Sequence, residues 1–182
     1  MRYADAEALR AALEARLRRA ATGDQDLARR RRIVAFDRFL ARLAVAEGDA
    51  WILKGDAALE FRMPDRARAT RDIDLALMQP ADPADQLLDD LEGDPFEDHF
   101  AFRVTRRREL SDAPDRGVVT RLSLEALLGG RLFERFVVDL VGTDDAVSDP
   151  RERVELGRAF AFAELPIVEL AVLDLRTHWA EK

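Results

Sequence analysis

Residues 51–77 read WILKGDAALEFRMPDRARATRDIDLAL, and this stretch decides the fold. Near its end, Asp72 and Asp74 alternate with Ile73, Leu75 and Leu77. That is a strand period, with one apolar face and one acidic face. Side chains two residues apart on a strand stand about 6.6 Å from each other on the same side. Two carboxylates held there repel each other unless a cation lies between them. Upstream, Trp51-Ile52-Leu53 reads as a short strand, and Lys54-Gly55-Asp56 as a turn into a helix over 55–62. A helix N-terminus flanked by a glycine and a lysine suits phosphate. Strand, glycine turn, helix and D-x-D strand together suit a nucleoside triphosphate and a metal.

Working outward, residues 4–20 read as an amphipathic helix, with Leu9, Leu13 and Leu17 at a four-residue repeat. Asp24 is placed to cap a second helix, roughly 25–47, carrying Ile33, Phe36, Phe39, Leu40 and Leu43 on one face. After the D-x-D strand, Pro80 and Pro83 flank a loop into a short acidic helix near 84–92. A β region follows: 100–105 and 118–124 alternate, Gly129-Gly130 marks a hairpin turn, and 132–141 is the next strand. Residues 143–150 read as a polar loop, and 151–168 as turns and short strands ending at Leu165-Pro166. A final helix is expected from about Val168, still running at Lys182 without a cap or breaker. The C-terminal helical part therefore reads as incomplete. The expected fold class is α/β (α+β), a mixed sheet flanked by helices. The expected division is an N-terminal helical segment over 1–48 packing on a core over 49–168, and the start of a C-terminal helical region over 169–182.

The 182 residues suit one domain with a small appendage, and 48% hydrophobic content suffices for a core. No run of about 18 apolar residues marks a membrane span. The N-terminus carries acids and no apolar segment of the kind a signal peptide needs. Without cysteine there is no disulfide and no thiolate chemistry or thiolate metal site, and a cytoplasmic location fits. A net charge of −7 argues against nucleic-acid binding by global charge. It leaves room for a local basic groove, since Arg29–Arg32 and Arg103, Arg106, Arg107 and Arg108 form clusters. Lys54 and Lys182 are the only lysines, and a compact ammonium is a point-charge partner of phosphate.

Asp139 is the third candidate carboxylate. It is the only charge in Phe136–Val141, where an acid is costly unless paired or bound to metal. Asp72, Asp74 and Asp139 would together hold two Mg²⁺ ions by oxygen, with a triphosphate completing their coordination. Gly55 lets the backbone approach a phosphate, and Asp56 can cap the helix behind it. The loop bearing Arg66, Arg68 and Arg71 is a candidate grip on triphosphate or RNA. Each of these residues also has a plain alternative: an acidic edge strand, a strand-end aspartate, a solvated loop. His99 and His178 are isolated, and no Ser/His/Asp set, Walker sequence or G-x-G-x-x-G appears.

Leu53-Lys54-Gly55, followed by Arg68-Ala69-Thr70-Arg71-Asp72-Ile73-Asp74-Leu75, resembles the AbiEii/AbiGii toxin family of nucleotidyltransferases, within the DNA polymerase β-like superfamily. The match is to its leucine-lysine-glycine-glycine turn and R-x-[S/T]-x-D-[I/L]-D-[L/F] pattern. Asp139 matches the third carboxylate, and Ala180-Glu181-Lys182 resembles a later motif centred on a catalytic lysine. The likeness spans about residues 50–182. Asp56 departs from it, standing where the family has glycine or serine, and an Arg-Asp…Asp segment expected after the lysine is missing. The resemblance implies a Mg²⁺-dependent toxin of a bacterial toxin–antitoxin pair. Such an enzyme moves a nucleoside monophosphate from an NTP to an acceptor hydroxyl, in relatives the 3′ end of tRNA. It further implies Lys54, Gly55, Asp56, Arg68, Thr70 and Arg71 at the nucleotide, Lys182 in catalysis, and an antitoxin as partner. The rival reading is a binding module of the same fold that acts by holding NTP or a protein.

Overall fold

The computed structural model describes residues 2–46, 50–63, 70–78, 82–110, 119–142 and 151–173. Four helices lie there: α1 (Ala6–Ala20), α2 (Asp24–Ala46), α3 (Gly55–Arg62) and α4 (Pro83–Asp90). Seven strands join one sheet: β1 (Trp51–Lys54), β2 (Asp72–Leu77), β3 (Phe100–Leu110), β4 (Val119–Leu128), β5 (Arg131–Gly142), β6 (Arg151–Leu156) and β7 (Val168–Leu173). Their order is β3-β4-β5-β2-β1-β7-β6. β2 runs parallel to β5 and β1 parallel to β7, while the other pairs are antiparallel. The architecture is the expected mixed sheet with flanking helices.

Two short elements start as their residues dictate. Asp5 caps α1 by accepting from the Glu7 amide at 2.9 Å. Asp82 caps α4, accepting from the Ala84 and Asp85 amides, and Pro83 opens that helix without wasting a donor.

One face of the sheet makes the core. Ile73, Leu75 and Leu77 of β2 and Val138 and Leu140 of β5 are buried there with Leu122, Leu124, Ala126 and Leu128 of β4. α2 lies across them, every residue from Val34 to Leu43 buried. Phe36 and Phe39 meet the Phe136 ring edge-on at 5.2 and 5.4 Å, a favoured geometry for aromatic pairs.

Helix α2 also carries charge into this core. Arg42 donates to Asp98 at 2.7 Å, to the Phe100 carbonyl at 2.7 Å and to Asp94 at 3.1 Å. Arg38 donates twice to Asp37, at 2.6 and 2.8 Å, and faces Asp98 at 3.6 Å. Asp37 in turn accepts from the Gly157 amide at 2.7 Å. The network ties α2 to the start of β3 and to the turn after β6.

The expected helix from Val168 is instead strand β7, between β1 and β6. Leu170, Ala171, Val172 and Leu173 are all buried. A short apolar run buried on both sides is the pattern of a parallel interior strand, and periodicity alone does not separate it from a helix. The expected boundary at 168/169 thus falls inside an element of the sheet. The ambiguous stretch before it resolves into β6 and a 3₁₀ helix, Arg158–Ala163. The turn at Gly129-Gly130 joins β4 to β5 as expected. The 143–150 loop, the end of the chain from 174 and most of the arginine loop, 64–69, lie outside the described residues. Among the described residues no helix is long and apolar enough to cross a membrane.

Asp98 is fully buried, neutralises Arg42 and adds to the field that Asp37 places on Arg38. Breaking such a network from one side costs about 3–5 kcal/mol. Asp98→Ala should therefore lower the unfolding free energy by that amount in urea titration, with Asp98→Asn recovering only part of it.

Candidate active site

The site is built on the other face of the sheet, and strand register makes it. Asp74 pairs with Asp139 across β2 and β5, and with Lys54 across β2 and β1. Asp139 pairs with Arg121 across β5 and β4. Cross-strand partners share a face. Lys54, Asp74, Asp139 and Arg121 therefore stand in one row over four adjacent strands, with Asp72 on the same side one pleat along.

Gly55 follows Lys54 with a left-handed φ of +66°. A Cβ there would come within 1.9 Å of Asp74 Oδ2. Only glycine fits, because it both tolerates the backbone and leaves room for the carboxylate. The turn into α3 is thus pressed against the second aspartate of D-x-D. Lys54 supplies no side-chain cap to α3, and Asp56 lies in its first turn.

Thr70 organises the start of β2. Its hydroxyl lies 3.0 Å from Asp72 Oδ1 and 3.1 Å from the Asp72 carbonyl. Its amide donates to Glu60 at 3.4 Å, and its carbonyl accepts from Arg32 at 3.1 Å. Glu60 is buried and accepts from Arg29 at 2.6 Å. Helices α2 and α3 therefore hold the residue that orients Asp72. The sequence singled out Thr70 only by resemblance, read Arg32 as part of a basic cluster and not as a support for Thr70, and missed Glu60 altogether.

Arg121 was also missed. Its Nε and a terminal nitrogen donate to the two oxygens of Asp139 at 2.7 and 2.6 Å. This is a two-pronged guanidinium–carboxylate pair. The available signal was weak: Val119–Leu124 alternates, and Arg121 falls on its polar phase opposite Asp139 only once the register is known.

Burial pushes the Asp74 carboxyl up to about 6 from 3.8. The charges of Asp72, then Asp139, then Asp56 push the same way, and Arg121 pulls against them. The hydrogen bonds to Asp139 hold the Arg121 guanidinium still more firmly protonated than usual. Crowded hard oxygen donors that resist ionisation fit a divalent cation, which would relieve the repulsion. As they stand, no three carboxylate or imidazole groups among the described residues are gathered into a metal-holding cluster. The Arg121 pair occupies both Asp139 oxygens.

Of the other expected residues, Arg71 is exposed just before β2. Arg66, Arg68 and Lys182 lie outside the described residues.

With this geometry in place, comparison identifies the family. The model of the nucleotidyl transferase AbiEii toxin family, of type IV toxin–antitoxin systems, matches residues 38–182. The chain belongs to the AbiEii nucleotidyltransferase toxin family. Among solved structures it is similar to MenT4, a nucleotidyltransferase toxin of Mycobacterium tuberculosis, with 19% identity and a TM-score of 0.61 over 92% of this chain and 56% of that one. It is also similar to JHP933 of Helicobacter pylori, with 12% identity and a TM-score of 0.45 over 87% of this chain and 56% of that one. The chain thus spans a little over half the length of both structures. No curated protein matches it. The likeness to MenT4 supports the fold.

The raised Asp74 pKa has a definite sign. Between about pH 4 and 6 the native state keeps a proton that the unfolded chain has released, so metal-free stability falls as pH rises through that window. The loss is on the order of 2 kcal/mol. Asp74→Asn should raise the thermal midpoint by about 4–8 °C at neutral pH in chelator. It should change it little below about pH 4, where both forms are neutral. Thermal scans across pH check this.

Proposed function

We propose that this chain is the nucleotidyl-transferring part of a toxin from a bacterial toxin–antitoxin pair. It moves a nucleoside monophosphate from an NTP to an acceptor hydroxyl, at the 3′ end of tRNA, and releases pyrophosphate. The observation that carries this is the row Lys54–Asp74–Asp139 with Gly55 pressed against Asp74. With Asp72 one pleat along, it unites a phosphate-suited turn and three carboxylates on one face, in a chain of the AbiEii family. Those substrates place its action in the cytoplasm, with an antitoxin as protein partner.

Asp72, Asp74 and Asp139 are the residues that would hold Mg²⁺, two ions in all. Bound there, the ions would lower the pKa of the attacking hydroxyl and neutralise the leaving pyrophosphate. The chain's own residues do the rest. Lys54 and the first turn of α3 receive the triphosphate, with Gly55 allowing close approach. Arg68 and Arg71 add charge from the loop before β2, and Lys182 acts on the same phosphates from the C-terminal side. Thr70 fixes the direction of the Asp72 carboxylate. Asp74 must shed its proton to take a cation, so metal affinity should climb as pH rises through about 6.

One observation favours a second reading, a binding module without turnover. Asp139 is paired with Arg121, and Asp56 brings a like charge to the phosphate turn.

Incubation with α-labelled NTPs, Mg²⁺ and total tRNA separates the two. The expected outcome is label on the tRNA 3′ end, lost to background in Asp74→Ala while the fold is retained. A fully active Asp74→Ala variant would sink the mechanism. NTP binding without transfer under every condition would select the binding module.

A further inference from the structure

Strand β3 is an edge of the sheet, and its register changes midway. Up to Val104 it alternates regularly. Phe100, Phe102 and Val104 pair with Leu128, Ala126 and Leu124 of β4 on the helix-covered face. Continued alternation would send Arg106 and Arg108 to that face as well. The bulge between Val104 and Arg106 prevents it. A bulge adds one residue and re-aims those that follow. Arg106 then stands opposite Ser123, and Arg108 opposite Arg121. Ser123 and Arg121 alternate with the buried Leu122 and Leu124, so Arg106 and Arg108 lie on the same open face as the aspartates.

The displaced residue is Arg107. It pairs with Leu122 on the helix-covered side and binds Asp82 and Asp85, each at 2.9 Å. Its charge is neutralised by α4. Arg103 is likewise held by Glu125. Arg106 and Arg108 are exposed, and among the described residues no carboxylate pairs with either. Arg108 stands opposite Arg121, whose own charge is taken up by Asp139, so Arg108 is the one of the two that lacks a carboxylate among the described residues.

Register continues this line into the site: Arg108 to Arg121, Arg121 to Asp139, Asp139 to Asp74. Strands lie about 4.8 Å apart, so roughly 14 Å separates Arg108 from Asp74 along the sheet. The last few nucleotides of a strand cover that distance. The rings of these strands, Phe100, Phe102, Phe133 and Phe136, all belong to the core side. The open face therefore offers charge and no stacking platform, which is a grip on phosphates and not on bases.

We propose that the open face of β3 and β4, centred on Arg106 and Arg108, binds the phosphate backbone of single-stranded acceptor RNA and leads its 3′ end to the aspartates. This rests on the reading of the site as a transferase acting on RNA. The bulge at Thr105 is the device that makes the track. Without it, the two arginines would point at the helices.

The test is the salt dependence of equilibrium binding of a short fluorescein-labelled single-stranded RNA of mixed sequence, in chelator and without NTP. Each phosphate contact contributes about 0.7 to the slope of log affinity against log salt for single strands. Arg106→Ala with Arg108→Ala should make the slope shallower by about 1.4. Equivalently, the ratio of wild-type to variant affinity should shrink about sevenfold between roughly 50 and 200 mM salt. The double variant Arg107→Ala with Arg158→Ala removes the same net charge from arginines that are already paired, and should keep the wild-type slope. All four side chains are substantially exposed, and an unchanged circular dichroism spectrum verifies the fold.

A wild-type slope in the Arg106/Arg108 variant overturns the proposal, as does wild-type protein that binds no RNA or prefers poly-glutamate. A DNA strand of the same sequence should bind with the same slope, since phosphates are what is read. A slope that becomes shallower in the Arg107/Arg158 control and not in the Arg106/Arg108 variant overturns it too. The transfer assay keeps the two readings apart. Label transfer to RNA with an unaltered KM in the Arg106/Arg108 variant removes the track and leaves the transferase. A shallower slope with no transfer to any RNA leaves the track and removes the transferase.

Discussion

Repulsion between carboxylates is the constraint the rest of the structure answers to. Asp72, Asp74 and Asp139 share one sheet face, with Asp56 near enough to add to the field on Asp74. In the absence of a cation such an arrangement opposes folding, so something else must hold the strands in register. The other face does so. Ile73, Leu75 and Leu77 and, across from them, Val138 and Leu140 are buried beneath α2. A one-residue slip of β2 would exchange the two faces, burying aspartates and exposing leucines. Hydrophobic burial on one side thus fixes the position of the charges on the other. It also explains why β2 is an interior strand, flanked by β1 and β5, and not an edge free to shift.

The same economy governs α2. A helix buried along ten consecutive residues would normally be apolar all round, yet α2 contains Asp37, Arg38 and Arg42 within that span. Each finds a partner at a chain reversal: Asp98 before β3 and the Gly157 amide after β6. Further along the helix, Arg29 and Arg32 reach Glu60 and Thr70, and through them Asp72. One helix therefore both packs the core and, by polar contacts at its N-terminal half, sets the direction of a carboxylate on the opposite side of the sheet.

Much of this was legible in the sequence because period-two alternation is a direct consequence of one buried face. The D-x-D strand and the strands of the β4–β5 hairpin announced themselves that way, and the turns did so by their glycines. What failed was local in cause. Val168–Leu173 is rich in Leu and Val, and its last four residues are all buried, so it carries no alternation to distinguish strand from helix. Arg121 is one arginine among many, and its meaning depends on which residue of β5 lies opposite. The bulge at Thr105 has no glycine to mark it, and a phase shift of one residue cannot be seen without the partner strand. Arg42 carries no sign of its role in the sequence, because its partners Asp94 and Asp98 lie more than fifty residues away. Propensity and periodicity report on a segment and its two faces. They are silent on pairing between segments, and it is pairing that assembles the row of charges.

Arg121 shows how that row holds together. It grips Asp139 with two hydrogen bonds, and its charge also opposes the upward shift on Asp74. It does not abolish that shift, for Asp74 still titrates near 6. The guanidinium thus offsets one of three negative charges and leaves the other two crowded. A fully compensated cluster would be more stable and would have little affinity left for a cation. An uncompensated one would strain the register of β2 and β5. Partial compensation from a neighbouring strand lies between these limits, and it comes from a residue whose other side faces Arg108. The electrostatics of the carboxylates and of the arginine track are therefore not separate.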